Sequence, residues 1–177
     1  MIQAPESPKD LLIEALEHSD SERRHSRAER IRWAEPYDTP SGLIIGSVEM
    51  LSLLREAQAC FIEGYYIATL VLATALIEHV ISEELVSARF AKYGLSFDRA
   101  IKMAREKSLF TDDLLDQADR LRVIRNPFAH RKPDDHVHTL GKRYTTQARH
   151  PNLIQEEDAK TAIIAMFGFF KHGMQIK

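Results

Sequence analysis

The sequence predicts an all-α protein: a helical bundle of about five main helices with an irregular insertion before the last of them. Three observations lead there. Apolar residues recur at steps of three and four along most of the chain, the period of a helix. Residues 65–93 are apolar nearly all round, the pattern of a helix at the centre of a bundle. No internal repeat, glycine-rich phosphate loop, G-x-S-x-G or Walker pattern interrupts that text. At 177 residues the chain suits one core domain, assigned to residues 41–177, behind a charged helical extension, residues 1–40.

The elements follow in order. In residues 8–33 an apolar patch (Leu11, Leu12, Ile13, Leu16) precedes a charge-dense run. Ser19, Asp20 and Ser21 offer the cap of a second helical piece there. The run from Glu22 to Arg32 is basic on balance and suits a solvated face, or alternatively an RNA-facing arm. Residues 35–40 hold two prolines and form a linker. Ser41 or Gly42 opens the next helix, which runs to about Glu63 on a stripe of Leu43, Ile44, Val48, Leu51, Leu54 and Ala57 or Gln58. Gly64 breaks it. The central helix, 65–93, stops at Gly94, a residue suited to a left-handed helix end. Glu78 and His79 lie in its middle. A carboxylate there needs a partner or a cleft, as an interhelical salt bridge or as a group orienting Arg125 or His130 from behind.

Ser96 caps a short helix over 97–107 that carries Ile101, Met103 and Ala104. Thr111 caps the next, with Asp112 and Asp113 at its positive end and Leu114, Leu115, Ala118, Leu121 and Ile124 as its stripe. In the polar insertion, 134–151, the piece H-V-H-T-L-G-K-R-Y-T-T suits a small hairpin around Gly141 and Lys142. His136 and His138 would share one strand face, but a third ligand at metal-binding spacing is missing. No metal and no cofactor are expected. The last helix starts near Asn152 and Gln155, with Ala159, Ala162, Ile163, Met166, Phe167 and Phe170 on one stripe. Lys171 and His172 lie near its end, ahead of Gly173.

Composition narrows the function classes. With 24 Lys and Arg against 26 Asp and Glu, the formal net charge is −2. There is no global basic field, so any nucleic-acid contact must come from a local patch. Cys60 is the single cysteine, which excludes an intramolecular disulfide and a multi-cysteine zinc site. Its apolar helical context suits a small core residue. The first residues lack the basic-then-apolar order of a signal peptide. The longest apolar run, 67–77, is broken by threonines and too short to span a bilayer. A reducing cytoplasm and no membrane partner are expected.

The chemistry concentrates in L-R-V-I-R-N-P-F-A-H-R-K-P, residues 121–133. A guanidinium is a fixed positive fork suited to a phosphate, and an imidazole moves protons near neutrality. Arg125 and His130 bring both within six residues, with Asn126 beside them. On an ideal helix Asn126 and His130 share a face, whereas Arg125 and His130 point about 140° apart. Pro127 removes a backbone donor and biases Asn126 away from helical angles, so the helix should kink or end near Asn126. Either the kink brings Arg125 and His130 together, or a second copy of the chain supplies the missing partner. The plainer alternative is an ordinary helix terminus with Arg125 near the dipole.

These residues, with L-R-V-I before them and the apolar helix G-Y-Y-I-A-T-L-V-L-A-T-A-L-I-E-H-V-I-S-E-E-L upstream, resemble the R-x(4–6)-H motif and core helix of the HEPN superfamily. Those are all-α domains of RNA-targeting toxins, antiphage systems and CRISPR effectors. The resemblance covers about residues 41–173; residues 1–40 have no counterpart. It implies a metal-independent endoribonuclease in which two protomers line one cleft with both motifs. Arg125, Asn126 and His130 would be its catalytic residues and Glu78 would support them. Arg131, Lys132, Lys142, Arg143 and Arg149 would form the local basic rim for RNA. A toxin or antiphage role and an antitoxin or regulatory partner follow from the same likeness. Toxins of the family carry a tyrosine two residues beyond the histidine; here that position is Lys132, which argues against a nucleotidyltransferase antitoxin. The alternative within the family is a non-catalytic module that binds RNA, nucleotide or protein.

Overall fold

The structure, a computed structural model, describes residues 10–37 and 47–175. Among them are seven α-helices, one short 3-10 turn and no strand. The all-α class expected from the periodicity therefore holds. The chain divides into two compact units, Met1–Pro36 and Tyr37–Lys177.

The first unit holds α1 (Leu11–Ala34), whose cap Asp10 accepts a hydrogen bond from the Leu12 amide at 3.0 Å. The break expected at Ser19–Ser21 does not occur. Pairs spanning one turn carry the helix across it: His18 with Glu22 at 3.3 Å, Arg23 with Asp20 at 3.4 Å and His25 with Glu29 at 3.1 Å. Such pairs give modest local support to a polar helix. None of its residues is buried, Leu11, Leu12, Ile13 and Leu16 included. The 3-10 turn Glu35–Tyr37 follows; the rest of the expected linker lies outside the described residues.

The second unit begins with α2 (Val48–Glu63), capped by Ser47, whose hydroxyl accepts from the Met50 amide at 3.2 Å. The expected start at Ser41 or Gly42, with Leu43 and Ile44, lies outside the described residues. The buried face of α2 is Met50, Leu54, Ala57 and Phe61, and Val48, expected on the stripe, is 76% exposed. Gly64 ends the helix at φ 83, an angle glycine adopts without steric penalty.

Helix α3 (Tyr66–Ser87) is the hub, packed against α2, α4 (Phe97–Glu106), α5 (Asp112–Ala129) and α7 (Pro151–Gln175). It stops well short of the predicted Tyr93. Arg89, at φ 61, closes it: its amide donates to Val86 O at 3.0 Å, and the Phe90 amide donates to Leu85 O at 2.9 Å. This double closure normally uses glycine, so the sequence carried no sign of it; Gly94 takes φ 98 in the loop beyond. As a continuous helix of 22 residues, with a window of mean hydropathy 1.4, α3 is long and apolar enough to cross a bilayer, contrary to the reading of residues 67–77 alone. The core helix of a bundle meets the same criteria. One strip of its apolar perimeter is only partly covered: Ile67 is exposed and Val71, Leu72 and Ala75 are half-buried.

The remaining elements are α5 (Asp112–Ala129), α6 (Leu140–Gln147) and α7 (Pro151–Gln175). Ala159, Ala162, Ile163, Met166, Phe167 and Phe170 of α7 are all buried, joined by Ile154, Ala165 and Phe169. Gly168 faces α5, and a Cβ there would lie 2.9 Å from Leu114 Cδ2, a side-chain end that would have to shift. The start of α7 differs from expectation by a residue: Pro151 occupies the first helical position, and His150 Nδ1 accepts from the Asn152 amide at 3.2 Å. At its far end the helix passes Gly173 and runs on to Gln175.

The hairpin expected in the insertion is replaced by α6. The Thr139 hydroxyl accepts from the Lys142 amide at 3.3 Å and starts the helix, turning the segment away from strand pairing. Arg143 then reaches α7, where Nη1 and Nη2 donate to the two oxygens of buried Asp158 at 2.6 and 2.7 Å. That bidentate pair ties the insertion to the core.

Candidate functional site

Helix α5 delivers the motif. Its Thr111 cap accepts from the Leu114 amide at 3.4 Å, and Leu115, Ala118, Leu121 and Ile124 anchor it inward. Arg125 lies on that inward side at the helix's last turns. Its Nη2 donates to Glu78 Oε2 on α3 at 3.3 Å, with side-chain exposures of 17% and 34%. A guanidinium has five N–H donors, so one bond to Glu78 leaves donors for a phosphate.

The helix does not end at Asn126. It runs through Pro127 to Ala129, and His130 is the first extended residue, at φ −140 and ψ 126. The His130 amide donates to Asn126 O at 2.8 Å, closing the turn that spans the proline. The helix therefore accommodates Pro127, which removes one backbone donor, and Asn126 keeps helical geometry. Asn126 is half-buried and His130 exposed. Among the described residues no hydrogen bond or ion pair joins Arg125 to His130, and the His130 ring has no such partner at all.

The five rim cations divide into two kinds. Arg143 is committed to Asp158, and Arg149 to Glu157. Arg131 and Lys142 are exposed and Lys132 half-buried, and among the described residues these three have no carboxylate partner. His136 and His138 lie in the turn before α6, with rings 5.6 Å apart. The His136 Nδ1 accepts from the His138 amide at 3.3 Å. Burial lowers the His138 pKa, and His136, Arg143 and Arg122 push it further the same way. Among the described residues no group of three or more His, Cys, Asp or Glu is placed to hold a metal. Cys60 is half-buried rather than fully interior; burial and then Glu56 push its thiol up.

Among the described residues, clefts open beside Glu78 and between α5 and α6, and a groove runs along α3. The first, of about 310 Å³, is lined by Glu78 with Ala75, His79, Ser82 and Tyr93. The apolar groove of about 660 Å³ continues along the same half-covered strip of α3, past Ile67, Val71 and Leu72. The cleft between α5 and α6, about 470 Å³, is lined by Arg120, Val123, His138 and Lys142 among others. Arg120 was not singled out in the sequence, because its cleft exists only once α6 is a helix. No protein-family model, curated protein or solved structure matches the chain.

Proposed function

We propose that this chain is a metal-independent endoribonuclease of the HEPN kind, acting as a homodimer in the cytoplasm as a toxin or antiphage effector. One observation carries the reading: Arg125, backed by Glu78, and solvent-facing His130 sit at the same end of α5 without touching each other. A second protomer supplies the complement across the half-covered apolar strip of α3, which adjoins Glu78. His130 takes the proton of the ribose 2′-OH, or delivers one to the departing 5′-oxygen, as the 2′-oxygen bonds to phosphorus. Such acid–base work typically contributes about 10²–10⁴-fold. Arg125 holds the phosphate and offsets the charge that develops on it, and Asn126 hydrogen-bonds the phosphate or steadies the imidazole. The need for a 2′-OH restricts the reaction to RNA, and the internal nucleophile asks nothing of a cofactor. Arg131, Lys132 and Lys142 supply the positive rim, and an antitoxin or regulatory protein restrains the cleft.

The test is RNA cleavage in EDTA by the wild type beside His130→Ala and Arg125→Ala. Both variants should lose at least about 10²-fold; equal cutting by all three proteins rejects the assignment. A second reading, a non-catalytic RNA-, nucleotide- or protein-binding module, is favoured by the Arg125–Glu78 pair, which offsets the charge a phosphate would seek. It expects binding without any cut product.

A further inference from the structure

The cleft between α5 and α6 has an uneven chemistry. Val123, Ile124 and Val137 give it an apolar wall, and Val137 is 64% exposed. Arg120 and Lys142 stand at its rim, both exposed, and among the described residues neither has a carboxylate partner. No acidic side chain lines the cleft. Arg143, which also borders it, is already neutralised by Asp158. His138 on the same wall is held toward its neutral form by burial and by the positive groups near it. At about 470 Å³ the cleft is of a size that small ligands occupy.

From these features we propose that the α5–α6 cleft is a subsite for one nucleotide, with its base against Val123, Ile124 and Val137 and its phosphate between Arg120 and Lys142. Two unpaired cations over an apolar wall fit a ligand that is anionic at one end and flat and apolar at the other. Inorganic phosphate alone lacks the apolar half, and a neutral nucleoside lacks the charge. On α5, Arg120 and Val123 are neighbours on one face, three residues apart. That face leads to His130 about 10 Å beyond Val123 along the axis. A nucleotide of an RNA strand seated here places its neighbour toward the end of α5; a free nucleotide fills the same subsite alone. The subsite goes beyond the ribonuclease reading, and its occupancy is measurable without cleavage.

The experiment is calorimetric titration of the full chain with adenosine 5′-monophosphate, adenosine, inorganic phosphate and a 2′-O-methyl hexa-adenylate, which cannot be cut. The monophosphate should bind more tightly than adenosine or phosphate. Affinity should fall about tenfold or more for each cation removed in Arg120→Ala and Lys142→Ala, both at exposed positions that leave the core intact. Val137→Ser, which makes the wall polar without adding charge, should weaken the nucleotide and leave phosphate binding unchanged. Binding of the hexa-adenylate alone, with the same sensitivity to the variants, identifies the strand as the source. No saturable binding of either nucleotide probe overturns the subsite, as does affinity unchanged in the double cation variant. So does phosphate binding as well as the monophosphate with no effect of Val137→Ser. Loss of the subsite with cutting of RNA intact leaves the ribonuclease reading standing, and the converse result separates them equally.

Discussion

The Arg143–Asp158 pair is a buried contact that is costly to break from one side. Asp158 is 4% exposed and Arg143 12% by side chain, so removing either partner leaves a charge with little access to water. Asp158→Ala should cost about 3–5 kcal/mol, while Arg143→Met with Asp158→Leu should recover most of it. Urea denaturation of the three proteins measures this, and a loss under about 1 kcal/mol for Asp158→Ala would contradict it. His138 gives a pH test. Its pKa is lowered in the folded chain, so the unfolded chain takes up the proton first as pH drops below about 6.5. Stability attributable to this residue is then whole above that pH and declines below it. In His138→Asn the melting temperature should depend less steeply on pH across that window; equal slopes would count against the assignment. Arg125, Asn126 and His130 were legible as a motif because their neighbours in sequence are their neighbours in space. The true partner of Arg143 was not, since it lies on another helix, 15 residues away, and depends on α6 forming.

Helix starts were easier to locate from sequence than helix ends. Ser96 and Thr111 both stand at the helix starts expected of a short polar residue ahead of an apolar stripe, although only the Thr111 hydroxyl makes the capping bond and Ser96 makes none. The ends of α3, α4 and α6 turn on Arg89, Ser108 and Ala148 at φ 61, 52 and 49, residue types that carry no left-handed preference. Each holds an angle that an L-residue adopts at a cost. Arg89→Gly should therefore raise stability by roughly 0.5–1 kcal/mol, the released strain outweighing glycine's greater entropy in the unfolded chain. A rise in denaturation midpoint with an unchanged slope is the expected record; a fall would show that the Arg89 side chain contributes more than its backbone costs. The link between α4 and α5 is held another way. The His172 Nε2 lies 2.9 Å from Leu109 O, and since a carbonyl only accepts, that nitrogen must carry the proton. Phe110 packs on the same ring at 4.6 Å.

For the whole molecule, the all-helical class and the central place of residues 66–87 followed from periodicity, which reports burial averaged over a helix. The half-covered strip of α3 did not, because a helix apolar all round looks the same whether its neighbours cover its whole perimeter or leave one side open. If that strip is the seam of the proposed homodimer, sedimentation should give twice the chain mass. Ile67→Glu, at a position 41% exposed, should halve it with helix content preserved. A wild-type monomer across the micromolar range would remove the shared cleft. Helix α1 has a different dependence. With no residue buried, it draws local support from charge pairs of a few tenths of a kcal/mol each. A kosmotropic salt screens such pairs while strengthening apolar burial, so ionic strength pushes the ion pairs of the leading helix and the interior of the larger unit in opposite directions.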